Sequence, residues 1–188
     1  MTELPIWAQI LILALLLAMS GFFSISETSM MAINRFRLRH LAKQGHRGAK
    51  RTQALLDQTE RLLGVILIGN NVVNTVSAMF SGAIAAHYWG NNQYALSIAA
   101  GLIAFAIIIF SELAPKVVGA AYPEKIAFPV SLILKPLLTL LAPLVWFTNL
   151  FANGLLRLLR INPKQDEETL ASEEIRALVL EQTPVMPK

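Results

Sequence analysis

Three groups of polar side chains stand where lipid-facing residues are expected. The first is Ser20, Ser24 and Ser26, followed by Glu27. The second is Asn70, Asn71 and Asn74, with Thr75 and Ser77 behind them. The third is Ser111 and Glu112, followed by Pro115 and Lys116. Their donors are hydroxyls, amide carbonyls and a carboxylate, all hard oxygens. Such a set suits Mg²⁺, Ca²⁺ or Na⁺, and not zinc or copper. Ser20 and Ser24 are one turn apart and share a helix face, as do Asn70 and Asn74. Pro115 has no N–H and its ring crowds the carbonyl four residues back, so the Ser111 carbonyl is expected to be free as a further ligand. An ionisable group inside a membrane is costly and points to function. Packing is the competing reading for Ser20, Ser26, Thr75 or Ser77 taken singly, because membrane helices use small polar residues to hold one another. For Glu112 the competing reading is simple neutralisation by Lys116, four residues on. Glu27 lies near the interface and is expected to pair with Arg35 or Lys116.

The elements that must carry these groups follow from charge and length. The chain has 188 residues, 55% apolar and 15% charged. A soluble domain has about 25% charged residues, so this is a membrane protein. Residues 4–26 and 62–111 contain no Asp, Glu, Lys or Arg. A helical span needs roughly 20 residues, so the first run is one span and the second is two. Gly90, Asn91 and Asn92 supply turn chemistry between aromatic residues that favour the interface. Spans are expected at about 5–30, 62–87 and 94–116. The N-terminus lacks the positive flank of a signal peptide, so the first span is expected to be retained.

Of the 16 Lys and Arg residues, eight fall between positions 35 and 61. That loop is expected to be cytoplasmic, with helices at about 35–60. Its cations set topology and meet anionic lipid; nucleic acid is not the expected partner. The N-terminus is then outside and the C-terminus cytoplasmic, in the cell (inner) membrane. At a rise of about 1.5 Å per residue, Ser20 and Ser24 lie roughly 22–28 Å from the outer end of their span. Glu112 lies about 27 Å from the outer end of its own, and Asn70 and Asn74 roughly 12–18 Å from the inner end of theirs. In a hydrocarbon core of about 30 Å, all fall in the inner half. Residues 126–156 are apolar but carry Pro129, Pro136 and Pro143, and broken helices along the cytoplasmic face are expected there (124–160 overall). From residue 161 the composition is soluble and acidic, as in a linker and first helix leading to a further cytoplasmic domain. The fold class is therefore all-α integral membrane, with three transmembrane helices and cytoplasmic-side juxtamembrane helices. The chain has no cysteine, which excludes disulfides and thiolate metal or redox sites.

The residues 20–28, Ser-Gly-Phe-Phe-Ser-Ile-Ser-Glu-Thr, resemble the first-span signature of the CNNM/CorC (CorB-type) magnesium transporters. Gly69-Asn70-Asn71-Val72-Val73-Asn74 is similar to their second signature, and Ser111-Glu112-Leu113-Ala114-Pro115-Lys116 to their third. The resemblance covers about residues 5–160. It implies a homodimer with a dehydrated Mg²⁺ between the spans. Ser20, Ser24, Asn70, Asn74, Ser111 through its backbone, and Glu112 are the implied ligands. It further implies Mg²⁺ efflux coupled to Na⁺ influx, and a cytoplasmic pair of nucleotide-binding CBS domains beyond this chain. No nucleotide is then expected on the chain itself. Ser111 departs from the family pattern, where glycine or alanine is common. The alternative is a Mg²⁺-sensing regulatory membrane protein that acts on another transporter. An enzyme is not expected, since no Ser/His/Asp set, HExxH or phosphate loop is present and the three histidines fall in loops.

Overall fold

The computed structural model describes residues 5–90, 92–147, 150 and 154. Three of its helical stretches are long and apolar enough to cross a membrane. The first is α1 (Ile6–Ala32) and the second α4 (Thr59–Trp89). The third, Gln93–Ala121, joins α5 (Gln93–Ile107), a π-helical segment (Ile108–Leu113) and α6 (Ala114–Ala121). Two short helices, α2 (Arg35–Lys43) and α3 (Arg47–Leu56), link the first two spans. The amphipathic α7 (Pro123–Leu140) follows the third. The expected segments 124–160 and 161–188 lie partly and wholly outside the described residues.

Local chemistry sets the breaks. Asn34 caps α2 by accepting from the amides of Phe36 and Arg37 at 3.0 Å each. Gly45, with φ of 91°, turns the chain between α2 and α3 in a conformation open to glycine. The ring Nδ1 of His46 then accepts from Ala49 N–H at 3.1 Å to start α3. Asn92 caps α5 through Tyr94 and Ala95, so the turn residues between the second and third spans act as a helix start. Pro129 and Pro136 differ from expectation, for both sit inside the continuous α7. Each forfeits one backbone bond, but the helix is held by burying Ala127, Val130, Ser131 and Leu134. The break comes after Leu140, ahead of Pro143.

Membrane helices gain nothing from hiding apolar surface from lipid, so close packing and polar contacts must hold them. The core is concentrated where α2, α3 and α7 close the end of the bundle. Met30, Leu38, Ala49, Leu62, Ile66, Ala127 and Leu134 are each at most 2% exposed there. Thr52 Oγ1 donates to the Ala127 carbonyl at 3.3 Å, and Arg37 pairs with Glu124 at 3.0 Å, which ties α3 and α2 to α7. At the other end α5 buries no residue at all, and Trp7, Ile98, Leu102 and Phe105 stand exposed as lipid-facing side chains. α1 is the central element, packed against α4, the π segment, α6 and α7.

Candidate metal site

Helix approach is set by two glycines. A Cβ at Gly69 would lie 2.5 Å from Phe23 Cζ, so glycine lets α4 come this near α1 with the Phe23 ring in place. A Cβ at Gly119 would lie 2.9 Å from the Ile25 carbonyl, which fixes α6 against the opposite side of α1. Held this way, the three spans bring their polar side chains together. Ser20 Oγ lies 2.9 Å from Asn70 Oδ1 and also within hydrogen-bond reach of Asn74 Oδ1. Ser111 Oγ donates to the same Asn74 oxygen at 3.3 Å. Ser20 and Ser111 are fully buried, and Asn70 nearly so.

Four oxygens thus crowd one point with only two hydroxyl protons between them. Ser20 has a single proton to share between two amide oxygens. The surplus lone pairs make the cluster electronegative and fit for a cation. Ser24 adds to it. Its Oγ is buried one turn below Ser20 and has no hydrogen-bond partner. A buried hydroxyl without a partner is uncommon and asks for an explanation.

The π segment alters the backbone expectation. The amide of Ala114 donates to Ile109, five residues back. Pro115 has no N–H to offer. The Phe110 carbonyl therefore loses its helical partner, and the Ser111 carbonyl loses its i+4 partner as well. A Cβ placed on Gly21 would sit 3.5 Å from the Phe110 oxygen, so that carbonyl faces α1 beside Ser20. Single π turns inside helices are frequent at functional sites. The Phe110 carbonyl was not among the residues singled out from sequence. Its signal was Pro115, read with a four-residue offset where the helix uses five.

Glu112 is placed differently from the others. Its carboxylate pairs with Lys116 Nζ at 3.0 Å, and its side chain is 47% exposed. It adjoins the cluster through its neighbour Ser111 but does not bond to it. Asn71 and Thr75 are exposed on the far side of α4, away from the cluster. Ser26 and Ser77 are buried and bond to backbone carbonyls of their own helices, as packing hydroxyls do. Glu27 is half-buried and forms no ion pair among the described residues, so the expected pairs with Arg35 and Lys116 are absent there.

A three-span helical bundle with hydroxyl, amide and carbonyl oxygens gathered inside it defines a polytopic membrane protein with a buried polar centre. Residues 10–184 match the family model of the CNNM, or cyclin M, transmembrane N-terminal domain, and the chain belongs to that family. It is 43% identical over 165 residues to the UPF0053 inner membrane protein YfjD of Escherichia coli K12, covering 86% of this chain and 38% of that one. It is 37% identical over 187 residues to a UPF0053 protein of Haemophilus influenzae, covering 100% of this chain and 44% of the relative. The polyamine export protein of Salmonella typhimurium is 32% identical over 182 residues, covering 91% of this chain and 40% of its own length. The chain thus spans about two-fifths of the length of these curated relatives.

Proposed function

We infer that this membrane domain carries Mg²⁺ across the bilayer through a dehydrated site between its three spans. The observation that carries the reading is the convergence of Ser20, Asn70, Asn74 and Ser111, from three helices, on one buried point. Ser24 Oγ and the Phe110 carbonyl add unpartnered oxygens beside it. Mg²⁺ gives up water reluctantly, so a dry site needs an anionic ligand besides neutral dipoles. Glu112 is that ligand. Lys116 holds its carboxylate when no ion is bound and releases it to the cation. The half-exposed geometry of the pair suits such an exchange, because an exposed ion pair is worth only about 0–1 kcal/mol. Efflux coupled to Na⁺ influx is the proposed direction. The proposed orientation has the basic α2 and α3 on the cytoplasmic side of the inner membrane, the side that an excess of Lys and Arg favours, and the N-terminus outside. Asn71 and Thr75, polar and exposed on one face of α4, supply the interhelical contacts of a homodimer.

Two other readings give different outcomes in the same assays. A Mg²⁺ sensor acting on another transporter binds the ion and moves none. A polyamine carrier, suggested by the name of the more distant relatives, moves an organic polycation. The oxygens of this cluster crowd to hydrogen-bond distance of one another, which suits a bare ion better. Calorimetry of the purified protein with Mg²⁺ is the first test, with Glu112→Gln and Asn70→Ala beside the parent. Both substitutions should abolish binding, and Glu112→Gln should abolish Mg²⁺ flux in liposomes. Binding that survives both changes means the cluster only packs. Binding without flux favours the sensor, and flux of a polyamine alone favours the polyamine carrier.

A further inference from the structure

A second polar feature lies away from the ion cluster, where α3, the start of α4 and α7 meet. Arg51, Leu55 and Gln58 line one wall of a pocket of about 250 Å³, and Lys135, Leu138 and Thr139 line the other. Arg61 closes the end. Arg51 and Leu55 are one turn apart on α3, Gln58 follows in the turn into α4, and Lys135, Leu138 and Thr139 share one side of α7, so the cleft runs between these helices. Among the described residues three cations and no acidic side chain line the cleft. Among the described residues the ion pairs are Arg37–Glu124 and Glu112–Lys116, so none of the three cations pairs with a described carboxylate. Arg51 donates from Nε to Ser131 Oγ at 3.4 Å, and Arg61 from Nη1 to Gln58 Oε1 at 3.3 Å. Each guanidinium keeps most of its five donors.

The level of the pocket matters as much as its charge. Arg61 directly precedes Leu62, where the charge-free stretch of α4 begins. The cleft therefore opens where the protein passes from hydrocarbon to headgroups. Its floor is apolar, through Leu55 and Leu138. On α7, Leu132, three residues before Lys135 and on the same side of the helix, is 55% exposed. A free anion has no use for that apolar path. A phospholipid does, because its phosphate and its acyl chains are joined. We propose that Arg51, Arg61 and Lys135 hold the phosphate of one anionic phospholipid from the adjoining leaflet, its chains lying along α7. This inference stands apart from the ion-transport reading. Basic pockets between membrane helices are suited to anionic headgroups. A lipid seated there would bridge α3, α4 and α7, the elements that close the base of the ion-binding bundle.

Native mass spectrometry of the intact membrane protein in detergent tests this, with dioleoyl phosphatidylglycerol and dioleoyl phosphatidylcholine as probes. One phosphatidylglycerol should stay bound under conditions that strip phosphatidylcholine. Arg61→Gln and Lys135→Gln should each weaken it about fivefold, as expected for one cation near an anionic lipid. Lys43→Gln with Arg47→Gln removes twice the charge of either pocket variant, outside the pocket, and should leave binding unchanged. Ala54→Trp fills the cleft from an exposed position on α3 with every cation kept, and should abolish binding even if the glutamine variants fold poorly. Equal losses in the Lys43/Arg47 control, equal retention of phosphatidylcholine, or retained binding in Ala54→Trp would overturn the proposal. Displacement of the lipid by inorganic phosphate alone would make the pocket a free-anion site and overturn it too.

Discussion

Gly69→Ala is the sharpest probe of how the polar centre is assembled. The added Cβ would meet Phe23 at 2.5, 2.6 and 3.0 Å, at the tip of the ring. Ordinary carbon contacts are about 3.5–4.0 Å. The Phe23 ring is only 7% exposed and belongs to the core, so it has little room to yield. Relief comes either from a swing of the Phe23 ring tip, which its burial opposes, or from retreat of α4 from α1 by about 1 Å, the outcome that burial of the ring favours. Asn70 is the next residue, and its 2.9 Å contact with Ser20 would open to beyond hydrogen-bond range. Overpacking of this kind costs about 1–3 kcal/mol, and the lost bond about 1 kcal/mol more. Gly69→Ala should therefore lower the thermal unfolding midpoint in detergent and weaken Mg²⁺ binding in calorimetry. Phe23→Leu removes the ring tip, and combined with Gly69→Ala it should restore part of both. A Gly69→Ala protein with parental midpoint and parental affinity would refute the idea that this contact sets the helix spacing. Losses that Phe23→Leu fails to relieve would show that the glycine matters for another reason.

Ser24→Ala should separate stability from binding. Its hydroxyl is buried without a partner, so its removal should leave the ion-free protein as stable or raise it by about 1–3 kcal/mol, while calorimetry shows weaker Mg²⁺ binding. Pro115→Ala restores an amide to the third span and should reclaim a freed carbonyl at Phe110 or Ser111. The expected result is a higher unfolding midpoint with reduced ion affinity, and unchanged affinity would remove the carbonyl from the site. Glu112→Gln should shift stability by less than about 1 kcal/mol, as its pair with Lys116 is half exposed, so a severe loss of folding would contradict an exchangeable role. Since the chain has no cysteine, Lys43→Cys and Gln93→Cys can be labelled with a membrane-impermeant maleimide on intact cells. Gln93→Cys should react and Lys43→Cys should not; the reverse pattern would invert the proposed topology.

The number of spans, the link between the first two and the polar residues to watch were legible in the sequence, because lipid punishes charge. Residues 62–111 have no Asp, Glu, Lys or Arg and carry turn chemistry at Gly90–Asn92, so two spans follow from solvation alone. Helix ends were less legible. α4 starts at Thr59, ahead of Glu60 and Arg61, and the third span runs on past Lys116 to Ala121. Charges end the lipid-compatible stretch but do not end a helix, whose backbone bonds continue regardless of side chain. The prolines of α7 were misleading for a related reason. Losing one backbone bond is a local penalty, and burial of Ala127, Val130 and Leu134 against neighbouring helices outweighs it.

What only the tertiary structure decided is which oxygens meet. Periodicity puts Ser20 with Ser24 and Asn70 with Asn74 on common faces, but it does not say that Asn71 turns outward. Nor does it say that Ser111 reaches Asn74, or that Glu112 turns to Lys116. Those facts depend on helix rotation and spacing, set by contacts such as Gly69 on Phe23 between residues 46 positions apart in the chain. The π segment shows the same limit at the level of backbone. One proline signals a freed carbonyl, but whether the gap falls at Phe110 or Ser111 depends on a five-residue hydrogen-bond step. Composition fixes what the membrane will accept. Close packing fixes where the accepted polar atoms stand, because helix rotation and spacing, not composition, bring Ser20, Asn70, Asn74 and Ser111 to one point.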